Sequence, residues 1–190
     1  MGKVIIISGP AGVGKNTVAD QLCRQVALRR VVTATTRKAR PGETDGRDYI
    51  FLSEEEFRQR LANGEFLEHA EVHGNLYGTP RDQVDEALAA NEDCLLLIDV
   101  QGAMQVKAVH PDAMLIFLDA PDTGTLGERL AERSTEDEDE RRRRLETAAA
   151  ERQYRNQYDH SVVNDELART VTEVRHLVTD GRRHDTGGQD

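Results

Sequence analysis

The stretch "GPAGVGKNT", residues 9–17, decides how the rest of the chain is read. Glycines at 9, 12 and 14 precede Lys15 and Asn16, so the segment nearly matches G-x-x-x-x-G-K-[S/T], with Thr17 one place late. Ahead of it, the apolar run "KVIIIS" (3–8) reads as a buried strand. Behind it, Val18, Leu22 and Val26 recur every four residues, which predicts an amphipathic helix. In that order of strand, loop, lysine and helix, backbone N–H groups and a helix N-terminus face phosphate oxygens, and the lysine adds a full charge. A glycine-rich turn without a ligand is the competing reading, and the register of the lysine with the helix start argues against it. Asn16 stands where a hydroxyl ordinarily meets Mg2+. An amide oxygen also suits a hard cation, and the ion can instead be held through water and phosphate, with Thr17 nearby.

Outward from this loop, four further apolar runs read as strands: "RVVTAT" (30–35), "CLLLID" (94–99), "AMLIFLD" (113–119) and "HSVVN" (160–164). Most are continuous rather than alternating, as in a parallel sheet covered on both faces. Helical spacing returns at Leu167, Val171, Val174 and Val178. Strands alternating with helices predict an α/β fold, a P-loop parallel sheet flanked by helices. "LLLID" ends on an acid, Asp99, in the manner of a Walker B strand.

Two segments interrupt the rhythm. The first, about 37–90, is rich in polar and turn residues and predicts a small β-rich lobe with one helix, started by Ser53 and Glu56 at capping-box spacing. The second, about 124–150, contains "GERLAERSTEDEDERRRRLETAAAE" and has too little apolar content for a core. It reads as a solvated helical arm or a lid, and "EDEDERRRR" by itself as a helix face laced with ion pairs. The tail "GRRHDTGGQD" reads as disordered.

Bulk properties narrow the function classes. The chain has 190 residues, 32% charged and 37% hydrophobic, which suits one well-buried core. A net charge of −10 argues against a general nucleic-acid binder, because a phosphate backbone needs a basic face. The cysteines, Cys23 and Cys94, form no C-x-x-C pair and read as thiols of a reducing compartment. No segment reads as a signal peptide or membrane span, so the expectation is a cytoplasmic protein.

Within "TTRKARPGETDGRDY" (35–49), Arg37 and Arg40 lie three apart beside a Pro-Gly turn. Guanidinium groups on a turn grip phosphate bidentately, while a solvated basic loop explains the spacing equally well. "EFLEHAEVHGNLYGTP" (65–80) adds carboxylates, a tyrosine and a threonine, groups able to read a purine edge. His69 and His73 flank "AEV" and, in a strand, face one side with no third ligand in view, so a zinc site is disfavoured.

Taken together, "GPAGVGK", "TTRKARPGETDGRDY", "GEFLEHAEVHGNLYGTP", "LLLIDVQGA" and "VVND" stand in the order and spacing of the guanylate kinases, and the chain resembles that family from about residue 3 to 178. The resemblance implies ATP-dependent phosphorylation of GMP to GDP, with Mg2+, on a P-loop core (1–36, 91–123 and 153–180) carrying a small α+β nucleotide-monophosphate-binding lobe (37–90) and a helical lid (124–152), with 181–190 as the tail. It implies that Gly9, Ala11, Gly12, Val13, Gly14, Lys15, Asn16 and Thr17 bind ATP, with Asn164 near the adenine. Arg37, Arg40, Tyr49 and Tyr77 would hold the GMP phosphate, and Thr33, Glu68, Thr79 and Asp99 would read the guanine. Arg129, Arg133 and Arg144 match the lid arginines that approach the ATP phosphates, and with Lys15 and Arg37 they make up the implied catalytic set.

The chain departs from the family pattern at three places. Asn16 replaces the common Ser or Gly, Ser134 breaks the usual Arg-Gly-Thr, and Leu97 stands where many relatives carry an acid. Asn16 and Asp99 remain as candidate Mg2+ contacts, through water. A guanylate-kinase-like module that binds without catalysis is one alternative, against which Lys15, the loop glycines, Asp99 and the lid arginines argue. A kinase of another phosphorylated small molecule, such as a ribosyl bisphosphate, is the other; a sugar phosphate needs no carboxylate that reads guanine.

Overall fold

The computed structural model describes residues 2–122, 124, 126 and 146–183. Among them, β1 (Val4–Ser8), β2 (Arg29–Arg30), β7 (Cys94–Leu97), β8 (Met114–Asp119) and β9 (His160–Val163) form a parallel sheet in the order β2-β7-β1-β8-β9. A second sheet has the order β4-β3-β6-β5, from β3 (Ala34–Thr35), β4 (Ile50–Phe51), β5 (Phe66–Val72) and β6 (Asn75–Pro80). The helices include α1 (Lys15–Cys23), α2 (Glu54–Ala62), α3 (Arg81–Ala89), α4 (Val100–Val109) and α5 (Leu167–Arg183). The α/β architecture with a parallel sheet flanked by helices is thus the one its alternating apolar runs predict.

The chain divides into two compact units. The first, Met1–Ile6 with Leu28–Met114, contains the second sheet with α2, α3 and α4. Its small core forms where Phe57 of α2 stacks on Phe66 of β5 at 4.5 Å, against Ala34, Ile50, Leu52, Leu61 and Leu76. Burying a phenylalanine so completely stabilises by roughly 1.5–3 kcal/mol. Ser53 caps α2 and Glu56 returns the bond, completing the capping box, while Glu54, Glu55 and Glu56 face the positive end of the helix dipole. β5 and β6 make a hairpin whose two-residue turn, His73–Gly74, has positive φ at both positions.

That turn corrects one expectation: His73 is not on the strand with His69 but in the hairpin loop, where the following Gly-Asn favours a reversal. "RVVTAT" is likewise not one strand. Arg29–Arg30 pair with β7, and Ala34–Thr35 pair with β4 and β6. The residues between them hand their backbone groups from one partner to the next. Val31 N–H donates to Leu95 O at 3.0 Å, Val32 exchanges two bonds with the Gln83 carboxamide, and Thr33 O accepts from Ile50 N–H. β-branched residues favour extended backbone and do not specify which sheet it joins. The run 94–99 also ends early as a strand, because Asp99 leaves it to cap α4.

The second unit, Ile7–Ala27 with Leu115–Asp190, holds the glycine loop. β8 pairs in parallel with β9, and Leu115 to Leu118 are wholly buried. α1 packs on α5, with Val18, Ala19 and Leu22 on one side and Val171, Val174 and Val178 on the other among the buried residues. Phe117 meets Tyr158 edge to face at 5.2 Å.

Candidate active site

In the second unit the loop after β1 carries every residue expected to cradle phosphate. Gly9, Gly12 and Gly14 adopt φ of 145°, 83° and 98°, a region costly for residues with a Cβ. Space forbids a side chain as well: a Cβ on Gly9 would fall on Leu118 O, and one on Gly14 would lie 2.7 Å from Asn164 Nδ2. Lys15 opens α1 and donates its ammonium to the carbonyls of Gly9 and Pro10, which draws the side chain back over the loop. Ala11 and Val13 complete the turn, Val13 buried, while Asn16 and Thr17 are exposed on the first turn of α1. Asn164, 6% exposed, donates Nδ2 to Val13 O at 2.7 Å, and its backbone N–H donates to Asp119 O. Its amide therefore ties down the loop itself.

Asp119, at the end of β8, accepts from Arg152 Nε at 2.7 Å, and Arg155 lies 3.9 Å away. Residue spacing gave no sign of this pair. Arg129, Arg133 and Arg144 lie outside the described residues, as does Ser134.

In the first unit the expected nucleotide-monophosphate residues fall into two groups joined by β6. Tyr77 and Thr79 are two apart on that strand and so point to the same face. Around Tyr77, the Arg37 guanidinium sits 5.2 Å from the centre of the Tyr49 ring, and Tyr49 meets Tyr77 edge to face at 6.2 Å. Burial foremost pushes the Tyr49 phenol up, which keeps its hydroxyl a donor. Glu43 holds this group: one oxygen accepts from Arg37 at 2.9 Å, the other from the backbone N–H of Arg40 at 2.7 Å. Burial alone would raise the Glu43 carboxyl, but the bonds from Arg37 and Arg40 prevail and hold it low. Arg40 itself is exposed. Glu43 escaped the residue-by-residue reading, although an acid three places after Arg40 across a Pro-Gly turn is a usable signal.

Around Thr79, Glu68 is 3% exposed and accepts the Thr79 hydroxyl at 2.6 Å. Burial chiefly, with the Asp99 charge added, pushes the Glu68 carboxyl up to about 7 against the bond from Thr79. Asp99 accepts from Gly102 N–H at 2.8 Å as the cap of α4. Thr33 is buried on the stretch leading into β3, its carbonyl bonded to Ile50. The arrangement offers two neighbouring carboxylates to a partner rich in N–H donors, and a guanidinium with two phenols to an anion. Among the described residues no group of three or more His, Cys, Asp or Glu is placed to hold a metal ion, and no helix is long and apolar enough to cross a membrane.

A family model described as guanylate kinase matches residues 1–181. The guanylate kinase of Rubrobacter xylanophilus is 45% identical over 98% of this chain and 97% of its own length. That of Desulfitobacterium hafniense is 43% identical over 93% of this chain and 89% of its own. The crystal structure of guanylate kinase from Anaplasma phagocytophilum superposes with a TM-score of 0.80 at 32% identity, over 94% of this chain and 85% of that one. A match of this extent, on a chain with the glycine loop and the paired carboxylates, means that the protein belongs to the guanylate kinase family.

Proposed function

We propose that this chain performs the reaction for which its family is named, transfer of the terminal phosphoryl group of ATP to GMP, giving ADP and GDP. The observation that carries the guanine assignment is Glu68 buried beside Asp99 and Thr79. Guanine presents N1–H and a 2-amino group side by side, and a carboxylate accepts both. Thr33, Thr79 and Asp99 complete the guanine contacts, and Arg37, Arg40, Tyr49 and Tyr77 grip the 5′-phosphate.

A phosphate oxygen of GMP is already nucleophilic, so no general base is required. The reaction requires the acceptor oxygen in line with the terminal phosphorus and the growing charge neutralised. The backbone N–H groups of the loop from Ala11 to Thr17, the α1 N-terminus and the Lys15 ammonium serve the ATP phosphates, with Gly9 shaping the turn and Asn164 holding the loop in shape. Arg129, Arg133 and Arg144 act from the lid, on the strength of the resemblance alone, and the lid's second task is to keep water from competing as acceptor.

Mg2+ supplies charge neutralisation on the phosphates when bound. The residues present suit an ion that arrives on ATP rather than one caged by protein, since among the described residues no group of three or more His, Cys, Asp or Glu is placed to hold it. In the second unit Asn16 is exposed on the first turn of α1, and in the first Asp99 already caps α4, so either would meet the ion through water. Cys94 is buried, and burial with the Asp93 charge pushes its thiol up to about 11, so it is inert, in keeping with the cytoplasmic reading.

The test is product analysis with ATP, Mg2+ and, separately, GMP, AMP, CMP and UMP. GDP from GMP, with little product from the others, is expected. Tight GMP binding without turnover would instead identify a binding module.

A further inference from the structure

α4 carries two residues that bear on β5 at the position of Glu68, and neither belongs to the nucleotide-contacting set. Gly102 is the first. A Cβ there would fall on Glu68 Oε2 and lie 2.9 Å from Glu68 Cδ and 3.4 Å from Asp99 Oδ1. Its backbone N–H holds Asp99 Oδ1 at 2.8 Å. One residue thus admits the first carboxylate by lacking a side chain and fixes the second by its amide. Gln105, one helical turn on, is the second. Its Nε2 donates to His69 O at 2.8 Å, and its Oε1 accepts from His69 N–H at 3.2 Å. β5 is the edge strand of its sheet, so this carboxamide takes the place an added strand would occupy, at the residue next to Glu68.

We propose that Gly102 and Gln105 of α4 are positioning residues for guanine recognition, setting where the Glu68 carboxylate sits and hence how strongly the chain prefers guanine over a purine lacking the 2-amino group. The proposal rests on the reading that Glu68 faces the guanine. The overlapping atom is the far end of a flexible side chain rather than backbone, so a methyl group at position 102 displaces the carboxylate and leaves the helix intact. Alanine is in any case the better helix former. Displacing an acceptor by about 1 Å costs up to roughly a hundredfold in a positioned interaction, so the effect belongs to GMP and not to ATP.

The experiment measures initial rates with GMP and with IMP, which lacks the 2-amino group, for the full chain and for Gly102→Ala, Gln105→Ala, Glu68→Gln and Gly102→Ala with Glu68→Asp. The expected result for Gly102→Ala is an increase of about tenfold in KM for GMP, with kcat and KM for ATP within about twofold. Gln105→Ala is expected to give a smaller increase of about threefold. The kcat/KM preference for GMP over IMP should fall in both, with melting temperatures retained. The shorter Glu68→Asp carboxylate should recover part of the GMP affinity in the Gly102→Ala background, which general loosening would not do. If Glu68→Gln raises KM for GMP while Gly102→Ala and Gln105→Ala leave both KM and the GMP/IMP preference unchanged, the α4 proposal fails and the Glu68 reading stands. If Glu68→Gln leaves KM for GMP unchanged, both fall together.

Discussion

Thr79 donates its hydroxyl to the Glu68 carboxylate across 2.6 Å, between residues that pair directly in the β5–β6 ladder. The bond favours the ionised carboxylate, but burial outweighs it and Asp99 works with burial. Glu68 therefore takes up a proton near neutrality, where an ordinary carboxylate does not.

The folded chain holds the Glu68 proton up to about pH 7 against an ordinary value of 4.5. Its contribution to stability is complete below the lower value and is lost as pH rises through the higher one. GMP binding runs the other way, because guanine N–H donors need the ionised form. KM for GMP should fall about tenfold from pH 6 to pH 8. Glu68→Gln should flatten the part of the profile not due to the phosphate of GMP itself. Parallel profiles in the two proteins would contradict the assignment.

Glu43 should matter to GMP without touching it. It holds both Arg37 and the backbone of Arg40, so Glu43→Ala releases the turn and raises KM for GMP by about threefold to tenfold. Arg37→Ala, which removes the phosphate contact itself, should cost more, and Arg37→Lys should not restore it, because an ammonium lacks the planar fork. KM for ATP is the control and should stay within about twofold in all three.

Lys15→Ala should lower turnover by about a hundredfold or more. Its melting temperature should change little, since the ammonium's bonds to the Gly9 and Pro10 carbonyls tie the loop to itself. Unchanged turnover in the folded variant would remove Lys15 from the catalytic set.

Arg152→Ala tests the tie at the end of β8. Asp119 is 6% exposed, and breaking a buried pair from the cationic side leaves a charge without its partner. Arg155, 3.9 Å away, offsets part of the loss. We expect destabilisation of about 2 kcal/mol, or about 4–8 °C in Tm, by thermal melting. Arg152→Ala with Asp119→Asn should recover part of it.

The phosphate loop was legible because its requirements are local. Positive φ at Gly9, Gly12 and Gly14 follows from the turn, and Lys15 follows from the helix start. The Ser53–Glu56 cap was legible for the same reason. "RVVTAT" misled because extended propensity does not name a partner, and the handover through Gln83 joins residues 51 apart in the chain. Gly102 stands inside "LLLIDVQGA", but the segment does not say what its missing side chain is for, and Gln105 carries no pattern. Their part emerges only when α4 is laid against β5, where the absence of one side chain and the reach of another acquire meaning. Glu68 and Asp99 were nameable through the family resemblance, while the pKa that burial gives Glu68 required the fold.

The most direct test of phosphoryl transfer to GMP is a single-turnover reaction with ATP labelled in its terminal phosphate, Mg2+ and GMP, with each product separated and counted. Label is expected in the β-phosphate of GDP, with almost none as free phosphate. Label released as inorganic phosphate, or left in ATP while GMP is bound, would contradict it.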